Sequence, residues 1–291
     1  MNDNKNISEE ENSEQQEFFK KVEIPFTRSK EEVWDTLSKK IEKEDFVQAQ
    51  GKLISMVWYQ VAAAVVILLV GSTSFMRLYS TVVFADKGKH IHHFLPDGSS
   101  VELNAASTIS YHPYWWRFKR DVTLDGEAFF EVKKGTQFIV ESRFGKTEVL
   151  GTSFNINTRN KAYKVFCKTG KVKVSNSSSS VALLITPGKI AVLDLKNNTG
   201  KVENRLSDHV ISWRLNEFYF DAKPLKEVVE EIEIQYNVSI TLADDISEGL
   251  IYSGRFTKKG SADVALELLC QTFNLNFTSI EKNSYNLSSN N

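Results

Sequence analysis

The thirty residues Leu103–Val132 read LNAASTISYHPYWWRFKRDVTLDGEAFFEV, and they decide what kind of fold the chain can adopt. Apolar side chains alternate with polar ones through Val122 and Leu124, and again through Ala128, Phe130 and Val132. A period of two puts one set on the buried face of a strand and the other on its opposite face. Asp125-Gly126 separates the two runs at a turn position. If Phe130 enters a core, Phe129 beside it has to face out or cover a second layer. That pattern suits a two-layer β structure. The stretch holds no nucleophile with its base, no phosphate loop and no cluster of metal ligands.

The same alternation runs outward from about residue 86 to residue 205, through SSVELNA, QFIVES, KTEVLG, SFNINT, KVFCKTGKVKV and VALLITPGKIAVLDL. Asp97-Gly98, Lys134-Gly135, Gly151-Thr152, Thr169-Gly170 and Pro187-Gly188 punctuate it. Short strands at about ten-residue intervals predict an all-β domain, a sandwich, roll or solenoid, instead of βαβ units. The low-complexity run Ser175–Ser180 predicts a flexible hairpin tip or loop.

From Trp213 the pattern changes. FYFDAKPLKEVVEEIEIQYNVSITL predicts a strand, then a helix with Leu225, Val228, Val229 and Ile232 on one face, then a strand. SADVALELLCQTFNLNFTSI repeats the design, with Ser261 as cap and Val264, Ala265, Leu268 and Leu269 inward. Aligned by eye, Val228 matches Val264, Ile232 matches Leu268, Gln235 matches Gln271, and YNVSIT matches FNLNFT. The expectation is a small α+β domain of duplicated αβ units over residues 213–288.

Val57–Met76 (VWYQVAAAVVILLVGSTSFM) holds twenty positions and no charge. As a helix rising about 1.5 Å per residue it spans about 30 Å, the thickness of a hydrocarbon core. Trp58 and Tyr59 lie at one end and Tyr79 just past the other, where aromatic belts form. A single spanning helix at residues 57–76 is expected. Lys39, Lys40, Lys43 and Lys52 precede it and Arg77, Lys87 and Lys89 follow, a bias that favours residues 1–56 in the cytoplasm and the remainder exported. Gly71–Ser74, GSTS, weakens the outer end of the helix and is expected to unwind locally.

The first seventeen residues are polar and acidic and predict disorder. After them, Ser29 with Glu32 forms a capping box, and Val33, Leu37 and Ile41 share one helical face with Trp34 beside them. An isolated helix of this length is marginal in water. Its stripe is expected to dock on a cytoplasmic protein, with the lipid surface as the alternative partner.

A net charge of -1 gives no reason to expect nucleic acid as a partner. Cys167 and Cys270 have neither redox nor zinc-ligand spacing; they read as buried thiols, with a disulfide conceivable in an oxidising compartment. His90, His92 and His93 cannot all grip one metal from a straight strand. Asp125, Glu127 and Glu131 supply carboxylates near one turn without a visible cleft, and VLGTSFNI lacks the G-x-S-x-G elbow. No catalytic residue, metal or cofactor is expected, and the chain does not read as an enzyme. HPYWWRFKR, with Trp115 and Trp116, leaves a second class open: a membrane-anchored glycan-binding or envelope-organising protein.

The phrases LPDGSSVELNAASTISY, VTLDGEAFFEV, FIVESRFGKTEVLGTSFNI and TGKVKV…LLITPGKIAVLD, in that order, resemble the periplasmic domain of FecR-type anti-sigma regulators. ISWRLNEFYFDAKPLKEVVEEIEIQYNVSI resembles the C-terminal domain that many Bacteroidetes members add, itself similar to the short N-terminal domain of secretins and TonB-dependent transducers. The resemblance covers about Leu95 to Leu287. On the family's motifs fall Leu95, Asp97, Gly98, Leu103, Asn104, Gly126, Glu127, Phe130, Val132, Gly151, Thr152, Phe154, Gly170, Pro187, Gly188 and Trp213. Asn216 stands where the family usually has Gly after Trp-x-x, and SYHPYWWRFKR replaces a simpler Tyr-Pro segment. The cytoplasmic region is shorter than the family's usual one.

The resemblance implies a single-pass inner-membrane protein with its N-terminus in the cytoplasm and its C-terminus in the periplasm. It implies that the signalling domain of a TonB-dependent outer-membrane receptor is the outer partner. An extracytoplasmic-function sigma factor would be the inner one, docking on Val33, Trp34, Leu37 and Ile41, with a membrane protease releasing the inner segment in related systems. The genes so controlled would serve uptake of iron chelates or glycans.

Overall fold

The structure, a computed structural model, describes residues 17–18, 20–21, 28–44, 56–194, 197–205, 207–244, 246 and 249–290. Most of the stretch expected to be disordered, residues 1–16, lies outside the described residues. The chain divides into two units, Met1–Ile67 and Leu68–Asn291.

In the first unit, helix α1 spans Lys30–Glu44. The capping box forms reciprocally: the Glu32 amide donates to Ser29 Oγ, and the Ser29 amide donates to Glu32 Oε2, both at 3.3 Å. These two bonds satisfy amide donors that a helix start leaves without carbonyl partners. Helix α2, Met56–Leu78, begins here and continues into the second unit. Among the described residues it is the one helix long and apolar enough to cross a membrane, as a single-pass architecture requires. At 23 residues it is about 34 Å long. Gly71–Ser74 are helical here: Thr73 Oγ1 donates to the Leu69 carbonyl at 2.8 Å and Ser72 Oγ to the same oxygen at 3.0 Å.

The second unit holds two seven-stranded sheets. The first contains β1 (Thr81–Ala85), β4 (Ser107–Tyr111), β5 (Arg120–Asp125), β7 (Phe138–Glu141), β8 (Gly145–Val149), β11 (Val172–Asn176) and β12 (Ala182–Ile185), in that order. The second contains β2 (Ile91–Phe94), β3 (Ser100–Leu103), β6 (Glu127–Glu131), β9 (Ser153–Asn157), β10 (Tyr163–Thr169), β13 (Lys189–Asp194) and β14 (Thr199–Asn204). Strands enter each sheet in sequence order, so the chain winds between two faces without returning. The result combines a sandwich's two layers with a solenoid's progression. Every pairing in the two sheets is antiparallel except β5 with β7. Phe130 from one sheet lies 6.2 Å from Phe138 of the other and stacks on Phe154 at 5.2 Å, which puts the alternating apolar set in one shared core. The serine-rich run is only partly a loop: Ser175 and Asn176 are buried in β11, and Ser177–Ser180 make the hairpin tip.

After β14 come a short helix α3 (Ser207–Val210) and a 3-10 turn at Ser212–Leu215. Asn216 closes that turn with φ of 58°, and its amide bonds the Trp213 carbonyl at 2.9 Å. Asn tolerates this left-handed conformation. The α+β region then runs β15 (Glu217–Pro224), α4 (Leu225–Tyr236), β16 (Ser239–Leu242), β17 (Ile251–Thr257), α5 (Ala262–Phe273), β18 (Leu275–Glu281) and β19 (Ser284–Ser289). β15 pairs with β17, and β16, β19 and β18 form a second sheet in which β16 and β19 are parallel.

The two αβ units superpose in sequence one residue away from the helix alignment expected above. Leu225 corresponds to Ala262, Val228 to Ala265, Val229 to Leu266 and Ile232 to Leu269, all buried, and each helix ends on a left-handed Asn, Asn237 or Asn274. Val264 and Leu268, expected inward, are 50% and 43% exposed. Leu266 and Cys270 take their place, because the register is set where each helix starts and stops.

Candidate functional site at the junction of the two domains

Phe129 and Phe130 point in opposite directions, as alternate strand residues must. Phe130 belongs to the β core; Phe129, just as buried, belongs to the core of the α+β domain with Trp213 and Phe218. Arg214 lays its guanidinium 4.0 Å over the Phe129 ring, and Lys168 approaches the same ring at 5.4 Å. Arg214 is held there by Glu102, which accepts from Nε at 2.7 Å and from Nη2. Glu102 and Phe129 are register partners on β3 and β6.

Beside this ring lies a buried polar network. Glu127 accepts from Asn104 Nδ2 at 2.9 Å and from Asn155 Nδ2 at 2.8 Å, and its amide donates to Ser107 Oγ at 2.9 Å. The α+β domain completes it: Gln235 Nε2 donates to Asn104 Oδ1 and Glu231 Oε1, both at 2.8 Å, and Trp213 Nε1 donates to Asn155 Oδ1 at 3.2 Å. Arg159 reaches Glu231 at 2.9 Å, lies 3.8 Å from Glu127, and donates to the Ala105 carbonyl. His90 Nε2 is 3.1 Å from Gln235 Oε1, so this nitrogen carries the proton. Two ties to the Gly88 backbone flank the network: its amide donates to the Ile234 carbonyl at 2.8 Å, and its carbonyl accepts from Lys258 Nζ at 2.7 Å.

Burial pushes the Glu127 carboxyl above its usual range; the Arg159 charge opposes this and the Glu231 charge adds to it. Burial likewise lowers the His90 imidazole, with Lys258 and Arg159 acting the same way and the Gln235 bond opposing. A raised carboxyl pKa often marks a proton-transfer group. Here both carboxylate oxygens are taken by amide donors. The adjoining cavity holds about 210 Å³ and shares Lys164, His209, Tyr219 and Lys223 with a groove of about 760 Å³ that Glu127 does not line. The arrangement suits a latch between domains.

The residues singled out from the sequence separate into groups. Asn104, Glu127 and Trp213 meet in the latch. Leu95, Leu103, Phe130, Val132 and Phe154 are core, and Thr152 is buried. Asp97 pairs with Arg120 and bonds Ser99. Gly98, Gly126, Gly151, Gly170, Pro187 and Gly188 lie in turns or bends between strands. Val33, Trp34, Leu37 and Ile41 form an exposed apolar stripe on α1, away from all of these in sequence. Asp125 is exposed and pairs with Arg143 at 3.4 Å. His93 meets the Tyr111 hydroxyl at 2.8 Å and His92 packs on Phe94. Cys167 and Cys270 are unbonded and buried in different cores. Trp116 is also buried, against Tyr111 and Phe138, so it cannot form half of a glycan platform. No sequence motif marks Asn155, Arg159, Glu231 or Gln235 as a site residue. Gln235 left one signal, a polar side chain on the helix face that carries Val228 and Ile232.

Comparison with known proteins matches both domains. Residues 81–173 match the family described as FecR protein, and residues 217–287 match FecR, C-terminal. No curated protein sequence matches. Two crystal structures of a candidate anti-sigma factor from Parabacteroides distasonis ATCC 8503 are similar at 26% identity, with TM-scores of 0.66 and 0.65. Each covers 72% of this chain and 99% of the other.

Proposed function

The chain belongs to the FecR family, and from that premise we propose that it is a transmembrane sigma-factor regulator with its receiver in the periplasm and its effector helix in the cytoplasm. The family is regulatory and is not an enzyme class. The outer partner is the signalling domain of a TonB-dependent receptor. The inner partner is an extracytoplasmic-function sigma factor held on Val33, Trp34, Leu37 and Ile41, and the controlled genes serve uptake of an iron chelate or glycan. Release of the inner segment by a membrane protease completes the relay.

The observation that carries this reading is the order of parts. Both FecR-matched regions follow α2 in the chain, and an exposed apolar stripe on a capped helix precedes it. A 15-residue helix with such a stripe gains little stability alone and gains it on docking. The latch supports the receiver role, since a message received on one domain reaches the other through buried bonds, not through a loose linker. The test is capture of the sigma factor on full-length protein. Trp34→Ala combined with Leu37→Ala should abolish co-purification while expression and membrane insertion persist. Undiminished co-purification would exclude the docking helix.

A further inference from the structure

The loop His112–Lys119, HPYWWRFK, has no part in the relay, and its placement is specific. Trp116 anchors it in the β core. Tyr114 and Phe118 are 51% and 68% exposed, and Trp115 packs on Phe118 at 4.6 Å. The loop lies against the end of α2. The Tyr114 ring is 6.0 Å from Phe75 and 5.2 Å from Tyr79, the Arg77 guanidinium is 5.9 Å from the Trp115 ring, and His112 Nδ1 is 3.0 Å from the Tyr79 carbonyl. Only Tyr79 and Ser80 separate α2 from β1.

We propose that this loop is a second membrane attachment, with Tyr114, Trp115 and Phe118 lying in the interfacial layer of the leaflet that α2 leaves. The inference rests on α2 being embedded. A helix about 34 Å long exceeds a hydrocarbon core of about 30 Å, so its last turn, Phe75–Leu78, lies at the boundary. Tyr114, 6.0 Å from Phe75, lies there too, and Trp115, 5.9 Å from the Arg77 guanidinium, and Phe118, packed on Trp115, follow it in the same loop. Aromatic side chains favour this layer, where an apolar ring and a polar edge are both solvated. Arg77, Arg117 and Lys119 place cations at the depth of lipid phosphates; Asp121, 2.9 Å from Lys119, and Glu141, whose charge also acts on Lys119, are acidic groups beside them. A carbohydrate surface fits less well, because Trp116 is buried and Arg77 lies over Trp115. The consequence is mechanical: the β domain is held to the bilayer at two places and cannot swivel on its two-residue connection.

Nitroxide labels on Phe118→Cys and, separately, Tyr114→Cys test this in full-length protein reconstituted into phosphatidylethanolamine–phosphatidylglycerol vesicles. Cys167 and Cys270 are buried and do not compete for the label. Controls are Val66→Cys within α2 and Leu184→Cys, exposed on β12 at the opposite edge of the sheet from β1. The loop labels should lose collisions with a water-soluble relaxant and keep those with oxygen, as Val66→Cys does, whereas Leu184→Cys stays aqueous. Loop labels that behave like Leu184→Cys, with Val66→Cys in lipid, overturn the attachment alone. An aqueous Val66→Cys overturns the spanning helix and the attachment with it. Shielding that disappears as protein is diluted into lipid assigns the loop to a second copy and also overturns the proposal.

Discussion

The guanidinium of Arg214 lies 4.0 Å over the ring of Phe129, although the two residues belong to different domains. Glu102, the strand neighbour of Phe129, holds that guanidinium in place. One ring of the β sandwich is thereby a core residue of the α+β domain.

Replacing Phe129 should therefore damage the second domain more than the first. Phe129→Ala removes a buried ring, at a cost of about 3–5 kcal/mol. The expected result in urea unfolding is a split of one transition into two, with Trp213 reporting the earlier. A single transition displaced by less than about 1 kcal/mol would mean that the ring does not couple the domains.

Gln235 is the polar half of the same coupling. Gln235→Leu removes its bonds to Asn104 and Glu231, which keep the Ala105 amide and Arg159 as donors, and leaves the His90 Nε2–H without its acceptor, at about 1–3 kcal/mol. In a double-mutant cycle with Asn104→Ala the two losses should fall short of additivity by about 0.5 kcal/mol or more. Additive losses would show that the bond carries nothing.

Glu127 makes stability depend on pH. Its folded pKa lies above the ordinary 4.5, so the folded state holds the proton more tightly than the unfolded chain does. The contribution is fully present below the ordinary value and is lost as pH rises through the raised one. Glu127→Gln should remove this decline, so the difference between wild-type and variant unfolding free energies changes from about pH 4 upward. A difference independent of pH would contradict the assignment.

Gly126 and Gly188 separate strain from collision. Both have positive φ, 103° and 80°, but a Cβ on Gly126 would meet the Ser107 backbone at 2.8 Å whereas one on Gly188 meets nothing within 4 Å. Gly188→Ala should cost about 1–2 kcal/mol, the left-handed penalty. Gly126→Ala should cost about 1–3 kcal/mol more and disturb the Ser107 bond to Glu127. Equal melting temperatures for the two variants would refute this.

Much of this architecture is legible in the residues, and the limits are physical. Alternation at Ala128, Phe130 and Val132 marks a strand and its core face, and it requires Phe129 to face elsewhere, but period two carries no information about what covers the other face. The α5 face is ambiguous in sequence because Val264, Leu266 and Leu268 are all apolar; only the helix end at Asn274 settles which of them turn inward. The latch is legible in part: Asn104, Glu127 and Trp213 lie in the stretches whose sequence resembles the family, while Arg159 and Glu231 look like ordinary surface charges until the fold brings them together. Trp115 and Trp116 are adjacent and alike in sequence, yet one is buried and the other packs below Arg77, because a loop's directions follow from its anchors.

The central claim is that one membrane span separates the α1 stripe from the latched domains, and side-specific labelling tests it most directly. In cells with a permeabilised outer membrane, a membrane-impermeant maleimide should react with Lys282→Cys in full-length protein. It should leave Lys40→Cys untouched until the inner membrane is lysed. Reaction of both positions before lysis, or protection of both, would contradict the account.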